Sequence, residues 1–130
     1  MEIKHRMIVF DAADIDAESA FWGAFLDGRV EEWGSTWRAV WVDGGWALGV
    51  QLAPNHVPPD WPDGTPAQQI HLDLYFEGLA AHDAAHERAI NLGARLLKPA
   101  EDRAAARGVQ VYADPAGHPF CLCWVPEPDV

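Results

Sequence analysis

A proline-rich segment divides this chain of 130 residues into two halves. Residues 54–69 contain five prolines among mostly polar side chains. Proline fixes φ and has no N–H to donate, so such a run cannot supply a central strand. We interpret residues 54–69 as a linker, and any sheet must be built from the residues on either side of it.

The first half has the pattern of a strand, a helix and three further strands. Residues 14–28 form the predicted helix, with acids in its first turn and Gly28 expected to end it in the left-handed conformation. Glycine-containing connections separate the last three strands, as expected for antiparallel neighbours. The strands of this βαβββ module are predicted at residues 3–10, 29–33, 37–42 and 46–53.

The second half repeats that order. Its helix is predicted from about Leu79 to Leu92, with Gly93 as its cap. The two helix ends are similar, since Phe25-Leu-Asp-Gly28-Arg-Val30 corresponds to Asn91-Leu-Gly93-Ala-Arg-Leu96. The strands are predicted at residues 70–76, 94–97, 108–113 and 119–125.

These patterns predict an α+β fold of two βαβββ modules in a single domain, residues 1–130. Module 1 covers about residues 1–53 and module 2 about residues 70–126. A four-stranded sheet with one helix cannot bury both of its faces. We therefore expect curved mixed sheets with the helices on the convex face, and a cleft between the modules that takes a ligand.

Charge and cysteine content limit the classes of binding partner and the cellular compartment that we expect. Twenty acidic and nine basic side chains give a net charge of -11, which repels nucleic acid and anionic membranes. Cys121 and Cys123 are two residues apart, a spacing that in a strand points both thiols to one face and is poor for a disulfide. Reduced thiols and the lack of a secretory pattern predict a cytoplasmic protein.

Several short motifs together resemble a known superfamily. They are Val9-Phe-Asp-Ala-Ala-Asp14 followed by Phe21-Trp22, then His71-Leu-Asp-Leu74, Leu92-Gly-Ala-Arg-Leu96 and Asp114-Pro-Ala-Gly-His-Pro-Phe-Cys-Leu122. In this order they resemble the glyoxalase-like branch of the vicinal oxygen chelate superfamily, which includes glyoxalases, bleomycin resistance proteins and extradiol dioxygenases. The resemblance implies paired βαβββ modules around a cleft, a small-molecule ligand and a homodimer.

The resemblance also implies where a metal would be held in metal-dependent members. By position, those places fall on Met7, Gln51, His71 and Cys121, and of these only His71 is a standard ligand. Hard divalent ions require imidazole and carboxylate oxygen. We therefore predict no metal cofactor; the alternative is Zn²⁺ held by a Cys121 thiolate, His71 and neutral ligands.

His71 and Asp73 are the candidate catalytic pair. Alternate residues of a strand point the same way, so Asp73 could orient His71 as a base; the alternative is a histidine that only shapes the pocket. The residues predicted to contact a ligand are His5, Met7, Trp37, Trp41, Gln51, His71, Asp73 and Cys121.

Other residues carry weaker signals. Buried, inert thiols are the expectation for Cys121 and Cys123, because no neighbour in sequence would stabilise a thiolate. His82 and His86 have the spacing of a two-histidine metal site but lack the accompanying glutamate, so a solvated or core-edge helix face is predicted. Trp61, between prolines, is either a surface aromatic, a lid or a partner contact.

Two classes of function remain open. The first is a binding protein that holds a small organic molecule in an aromatic, acid-rimmed cleft without the standard metal set. The second is a glyoxalase-type lyase or isomerase, or another proton-transfer enzyme centred on His71, with or without a metal. The first is preferred, because stabilising an enediolate requires a strong electrophile that the sequence does not show.

Overall fold

The computed structural model describes residues 1–62 and 64–127. The chain divides into two compact units, Met1–Val57 and Pro58–Val130. Over the described residues, each unit contains one four-stranded mixed sheet and one helix. The prediction of an α+β fold with two βαβββ modules is confirmed. That the modules form one domain, with their sheets curved around a shared cleft, stays a prediction.

In the first unit the strands are ordered β1-β4-β3-β2. β1 and β4 are parallel, and the other neighbours are antiparallel. The helix packs against β2, β3 and β4. The elements are β1 Met7–Ala12, α1 Ile15–Phe25, β2 Arg29–Glu32, β3 Trp37–Val42 and β4 Trp46–Leu52.

The second unit repeats this topology, with its strands ordered β5-β8-β7-β6. β5 and β8 are parallel, and the other pairs are antiparallel. The helix packs against β5, β6 and β8. The elements are β5 Leu72–Glu77, α2 Leu79–Asn91, β6 Arg95–Lys98, β7 Gly108–Ala113 and β8 Pro119–Val125.

Helix α1 begins at a side-chain cap and buries a strongly apolar face. The Asp14 carboxylate accepts a hydrogen bond from the Ala17 N–H at 3.0 Å, which satisfies a backbone donor of the first turn. Phe21, Trp22 and Phe25 are buried, and their rings contact one another. The Trp22 ring also lies 5.7 Å from that of Phe10 in β1, and this contact joins the helix to the sheet.

The predicted role of Gly28 is wrong. The left-handed residue after α1 is Asp27, with φ of 52°, and Gly28 has no positive φ. A Cβ on Gly28 would lie 2.7 Å from the Trp41 carbonyl oxygen, so glycine is required for close approach to β3. At the end of α2 the prediction holds, because Gly93 has φ of 109°.

Two strands begin later than predicted, and both for the same reason. The first ladder pair of β1 is Met7 with Ala47. The first pair of β5 is Leu72 with Phe120. Residues 3–6 and residues 70 and 71 therefore have β-forming sequences without a strand partner, and His71 lies one residue before β5.

The proline-rich segment contains no helix or strand among its described residues, 54–62 and 64–69. That it acts as a linker stays a prediction. Within the described parts of the chain, no helix has both the length and the apolar character needed to cross a membrane.

Candidate functional site

A pocket of about 550 Å³ lies on the second unit. Its floor is on the sheet face that α2 does not cover. Trp124 faces the helix, with its ring 4.9 Å from that of His82. Cys121 and Cys123 alternate with the helix-facing residues of β8 and therefore point to the other side. The predicted orientation of the two cysteines is confirmed.

The floor of the pocket is apolar. Val111 and Cys121 line it and form a buried cluster with Cys123, against which Trp61 and Leu97 pack. Val111 lies directly opposite Cys121 in the β7–β8 ladder. Trp61 is half-buried, so the tryptophan of the proline-rich segment covers part of this sheet face rather than projecting into solvent.

His71, Asp73 and Cys121 meet at one end of this floor. The His71 Nε2 is 3.2 Å from the Asp73 carboxylate. Asp73 is the ladder partner of Cys121 in β5–β8. One ligand atom from each of these residues lies within 4.8 Å of the others. The Trp61 ring stacks on the His71 imidazole, with centroids 4.8 Å apart and an angle of 25° between the planes.

Burial governs the state of the two thiols. It raises the pKa of Cys121 from 9.0 to about 12, and a hydrogen bond from the thiol to Asp73 adds to the effect. Burial, with the charge of Asp73, also raises the pKa of Cys123 to about 11. Both thiols are protonated at neutral pH, which supports buried, weakly reactive cysteines rather than a nucleophile.

The rim of the pocket carries both signs of charge. Glu101 and Asp102 line it together with Lys98 and Arg107. The acidic rim expected from the composition is therefore accompanied by two cations. A ligand at this rim would meet partners for either charge.

The segment of the rim between β6 and β7 is attached to the rest of the unit at three places. Arg103 donates to the Asp83 carboxylate of α2 at 2.7 Å. The Trp124 indole N–H donates to the Ala105 carbonyl at 3.0 Å. The Ala100 N–H donates to the Gln110 side chain at 3.1 Å. These contacts hold the rim against the sheet and the helix.

The predicted site residues of the first unit lie on the face of its own sheet that α1 does not cover. Arg38 of β3 bonds to Asp16 of α1, so Trp37 and Trp41 point away from the helix. His5 lies against Trp41 with ring centroids 5.9 Å apart. Among the described residues, neither the Trp37 nor the Trp41 indole N–H has a hydrogen-bond partner.

Met7 and Gln51 belong to the same face. Gln51 is opposite Trp37 in the β3–β4 ladder. Met7 and Trp37 both reach Gly49, where an added Cβ would lie 2.8 Å from the Met7 sulfur and 2.8 Å from the Trp37 ring. The five predicted residues of the first unit thus share one sheet face. That residues 7, 51, 71 and 121 converge on one hollow stays a prediction.

The two histidines of α2 stabilise the packing of the helix on its sheet. His82 is fully buried, and its Nε2–H donates to the Leu122 carbonyl at 3.1 Å, so the predicted solvated or core-edge position is wrong for this residue. The Tyr112 hydroxyl accepts from Gln110 and donates to His86 Nδ1 at 2.6 Å. Helix α1 buries large aromatic rings and has one hydrogen bond to its sheet through Asp16, whereas α2 buries mainly small residues beside His82.

Sequence reasoning missed several residues of the pocket. Val111 was detectable, because strand alternation places it opposite a cysteine already assigned to that face. Lys98 and Arg107 gave no comparable signal, since they flank an irregular segment whose path depends on its contacts with α2 and β8.

The fold and the sequence both agree with one family. The family model described as glyoxalase-like domain matches residues 7–123. The chain therefore belongs to the glyoxalase-like domain family, within the vicinal oxygen chelate superfamily. A search of the curated proteins finds no match to this sequence.

Solved structures share the fold at low identity. A glyoxalase/bleomycin resistance protein/dioxygenase family enzyme from Burkholderia phytofirmans PsJN has a TM-score of 0.71 at 18% identity, covering 92% of this chain and 96% of that one. The fosfomycin resistance protein FosX from Listeria monocytogenes has a TM-score of 0.72 at 13% identity, covering 100% and 97%. A mutant of FosX from the same organism, complexed with Mn(II) and 1S,2S-dihydroxypropylphosphonic acid, has a TM-score of 0.67 at 17% identity, covering 93% and 87%.

The donor chemistry at the four metal positions implied by the resemblance does not fit a hard ion. Met7, Gln51, His71 and Cys121 supply a thioether, an amide, an imidazole and a thiol. Mn²⁺ and Mg²⁺ prefer carboxylate and other oxygen ligands. A carboxylate is present beside His71 and Cys121, but it belongs to Asp73, which is not one of the four positions.

Proposed function

We propose that this protein binds a small organic molecule in the pocket of its second unit, without the standard metal set of the superfamily. The observation that carries the proposal is the Trp61 ring, stacked on His71 beside the apolar floor of Val111 and Cys121. A flat aromatic ring beside an apolar floor provides a surface on which a ligand can stack.

The size and lining of the pocket support this function. Its volume of about 550 Å³ is within the range that holds small molecules. An apolar floor with a few charged groups at the rim is the usual composition of such sites. Lys98 and Arg107 on one hand, and Asp73 and Glu101 on the other, favour a ligand with an aromatic or apolar body and a charged substituent.

Tryptophan fluorescence tests the proposal. We would titrate the full chain with two flat aromatic probes, the anion anilinonaphthalene sulfonate and the cation berberine, and with small α-oxo acids and their thiol adducts. At least one should quench the fluorescence saturably. Trp61→Ala should weaken that binding about tenfold, because a stacking partner is lost.

Tyr75→Ala is the matched control, since Tyr75 is an exposed aromatic of β5 that does not line the pocket. It should bind the probe as the unmodified chain does. Absence of quenching by every compound, or equal affinity in the Trp61→Ala and Tyr75→Ala variants, would contradict the proposal.

A second candidate function is metal-independent proton transfer. The 3.2 Å contact between His71 Nε2 and Asp73 favours it, because a carboxylate that accepts from Nε2–H leaves Nδ1 as the basic nitrogen. Exchange of the carbon-bound hydrogens of hydroxyacetone in D₂O, followed by NMR, tests this activity. His71→Gln and Asp73→Asn should each slow exchange by about a hundredfold or more, whereas Tyr75→Ala should not. Exchange no faster than in buffer would eliminate this candidate.

The cytoplasmic location and the homodimer stay predictions of the sequence and of the resemblance. Light scattering of the purified chain distinguishes a monomer from a dimer.

A further inference from the structure

We infer that His86 on α2 is a pH-sensitive switch for the rim segment, residues 99–107, and that a proton on its imidazole breaks one attachment of this segment, at Ala100. The segment joins β6 to β7, and most of its residues line the pocket. Its attachment therefore governs how well the rim of the pocket is ordered. Detachment at Ala100 needs no ligand, and only its effect on ligand affinity rests on the function proposed above.

A chain of three hydrogen bonds connects the rim segment to His86. The Ala100 N–H donates to the side-chain oxygen of Gln110 at 3.1 Å. The side-chain N–H of Gln110 donates to the Tyr112 hydroxyl at 2.9 Å, and that hydroxyl donates to His86 Nδ1 at 2.6 Å. Gln110 and Tyr112 are buried. Water therefore does not replace the bonds in the middle of the chain, and a change at His86 is passed on to Ala100.

The direction of these bonds fixes the protonation state of His86. A backbone N–H can only donate, so Gln110 must present its oxygen to Ala100 and its amide nitrogen to Tyr112. The Tyr112 hydroxyl has a single hydrogen, which is left for His86 Nδ1. An imidazole nitrogen accepts a hydrogen bond only when it carries no hydrogen itself. The intact chain therefore requires a neutral His86 with its hydrogen on Nε2.

A proton on His86 Nδ1 reverses the last bond of the chain. The nitrogen then donates, and the hydroxyl hydrogen of Tyr112, a fully buried residue, loses its acceptor. Rotation of the Gln110 amide restores an acceptor to that hydrogen, but it turns the amide nitrogen toward the Ala100 N–H. Ala100 is only half-buried, so water can take its N–H, whereas an unpaired buried group is costly. Detachment at Ala100 is therefore the least costly response to the proton.

The charged groups around the chain do not titrate near neutral pH. The hydrogen bond with Arg103 holds the pKa of Asp83 below its ordinary value of 3.8 and raises the pKa of Arg103. Burial raises the pKa of Tyr112 to about 12. Imidazole, by contrast, is the side chain that ordinarily changes its charge between pH 5 and 8. A change at the rim in that range therefore points to a histidine.

His82 is the other histidine on this side of α2, and it acts on a different attachment. Its Nε2–H donates to the Leu122 carbonyl, and its Nδ1 is 3.4 Å from the Asp83 carboxylate. A proton on His82 would therefore reach the rim through the Asp83–Arg103 pair and not through Ala100. The side chains that β5, β6 and β8 turn toward α2 are apolar, so these strands add no further titrating group.

The experiment is solution NMR of the full, isotope-labelled chain between pH 8 and 5.5. Amide exchange at Ala100, corrected for the intrinsic effect of pH on exchange, reports whether its N–H is bonded. Protection of this amide should fall by about tenfold as the pH is lowered. The midpoint of that fall should coincide with the titration of the His86 ring, followed by its own NMR signals. Protection of Ala100 that does not depend on pH would overturn the inference.

Two variants of His86 reproduce the two states of the switch. His86→Asn places an oxygen near the position of Nδ1, so it accepts from Tyr112 but does not titrate, and Ala100 should stay protected at every pH. His86→Leu offers no acceptor, and Ala100 should exchange rapidly even at pH 8. His56→Asn, in the first unit, is the matched control and should keep the pH dependence. If the pH dependence persisted in His86→Asn, it would belong to another group, and the inference would be wrong.

The effect on the pocket is measured separately. A fluorescent probe that binds as proposed above should bind about tenfold more weakly at pH 5.5 than at pH 8, and His86→Asn should remove most of this difference. Equal pH dependence in the unmodified chain and in His86→Asn would contradict a role of the switch in binding. Failure of every probe to bind would contradict the proposed function alone, because amide exchange at Ala100 is measured without a ligand.

Discussion

The two units have the same strand order but present different chemistry on the sheet faces that their helices leave uncovered. In the first unit this face carries Trp37, Trp41 and Met7 around Gly49. In the second it carries His71, Asp73 and Cys121 beside Val111. A repeated backbone topology therefore supplies two scaffolds, and the side chains decide that one uncovered face is aromatic and that the other carries an imidazole, a carboxylate and a thiol.

The two helices also differ in the residues that they bury. Helix α1 packs through Phe21, Trp22 and Phe25, whereas the buried residues of α2 are His82, Ala85 and Ala89. The first unit is stabilised mainly by burial of large rings, and the second depends in part on hydrogen bonds from α2 to its sheet. Six substitutions, grouped in four experiments, test differences between the two units, in order of decreasing effect.

The largest effect is expected for the helix cores. Trp22 is fully buried, so Trp22→Ala should lower the free energy of unfolding by about 3–5 kcal/mol. His82→Leu should cost less, about 1–3 kcal/mol, because it leaves the Leu122 carbonyl without its buried donor. Urea denaturation followed by circular dichroism measures both. A larger loss in His82→Leu would reverse the proposed contrast between the units.

Next are two glycines that face opposite sides of their sheets. A Cβ on Gly108 would lie 2.1 Å from the buried Trp124 ring, so Gly108→Ala should cost about 1–3 kcal/mol through overpacking. Gly49→Ala should cost less, because its Cβ would lie 2.8 Å from both the Met7 sulfur and the Trp37 ring, a milder overlap, and the flexible Met7 side chain can move away. Equal melting temperatures for the two variants would contradict this expectation.

A smaller effect concerns alkaline pH. Burial raises the pKa of Tyr112 from 10.0 to about 12, which means that folding favours the neutral phenol. Its contribution to stability is complete below pH 10.0 and is lost as the pH rises toward about 12. The melting temperature should therefore fall less steeply with increasing pH in Tyr112→Phe than in the unmodified chain. The same dependence of melting temperature on pH in both chains would show that Tyr112 does not contribute to the loss of stability at alkaline pH.

The smallest effect is expected at the rim of the pocket. The hydrogen bond from Arg103 holds the pKa of Asp83 below its ordinary value of 3.8, so this ion pair contributes at neutral pH and is lost only when the pH falls below that value. Asp83→Asn should leave the melting temperature almost unchanged, because the pair is exposed. Amide hydrogen exchange in residues 99–107 should nevertheless become faster. Unchanged exchange would mean that the Trp124 and Gln110 contacts hold the rim without it.

Much of the fold was predictable because local patterns repeat. The bounds of β3, β7 and β8 agree with the sequence pattern, since turns with glycine or proline delimit them. The starts of β1 and β5 were not predictable in this way. Residues 3–6 and 70–71 have β-forming sequences, but they lie before the first ladder pair of each strand. The β-propensity of a segment does not show whether a neighbouring strand pairs with it.

The candidate site was predictable only in part. Strand alternation placed His71 with Asp73 and turned Cys121 and Cys123 to one side, and the structure agrees. Alternation within one strand could not show that Asp73 is the ladder partner of Cys121, since that pairing joins residues almost fifty positions apart in the chain. The contact of Trp61 with His71 also depends on the path of a proline-rich segment without regular structure.

The amino-acid sequence by itself determined the two βαβββ modules and the side of each strand on which a residue lies. These properties follow from interactions between residues near one another in the chain. Tertiary structure alone decided where strands begin, which rings cover the floor of the pocket and that an imidazole, a carboxylate and a thiol meet. Those features arise from ladder pairing and packing between segments that are distant in the chain. These interactions contribute to stability only once the segments are in contact.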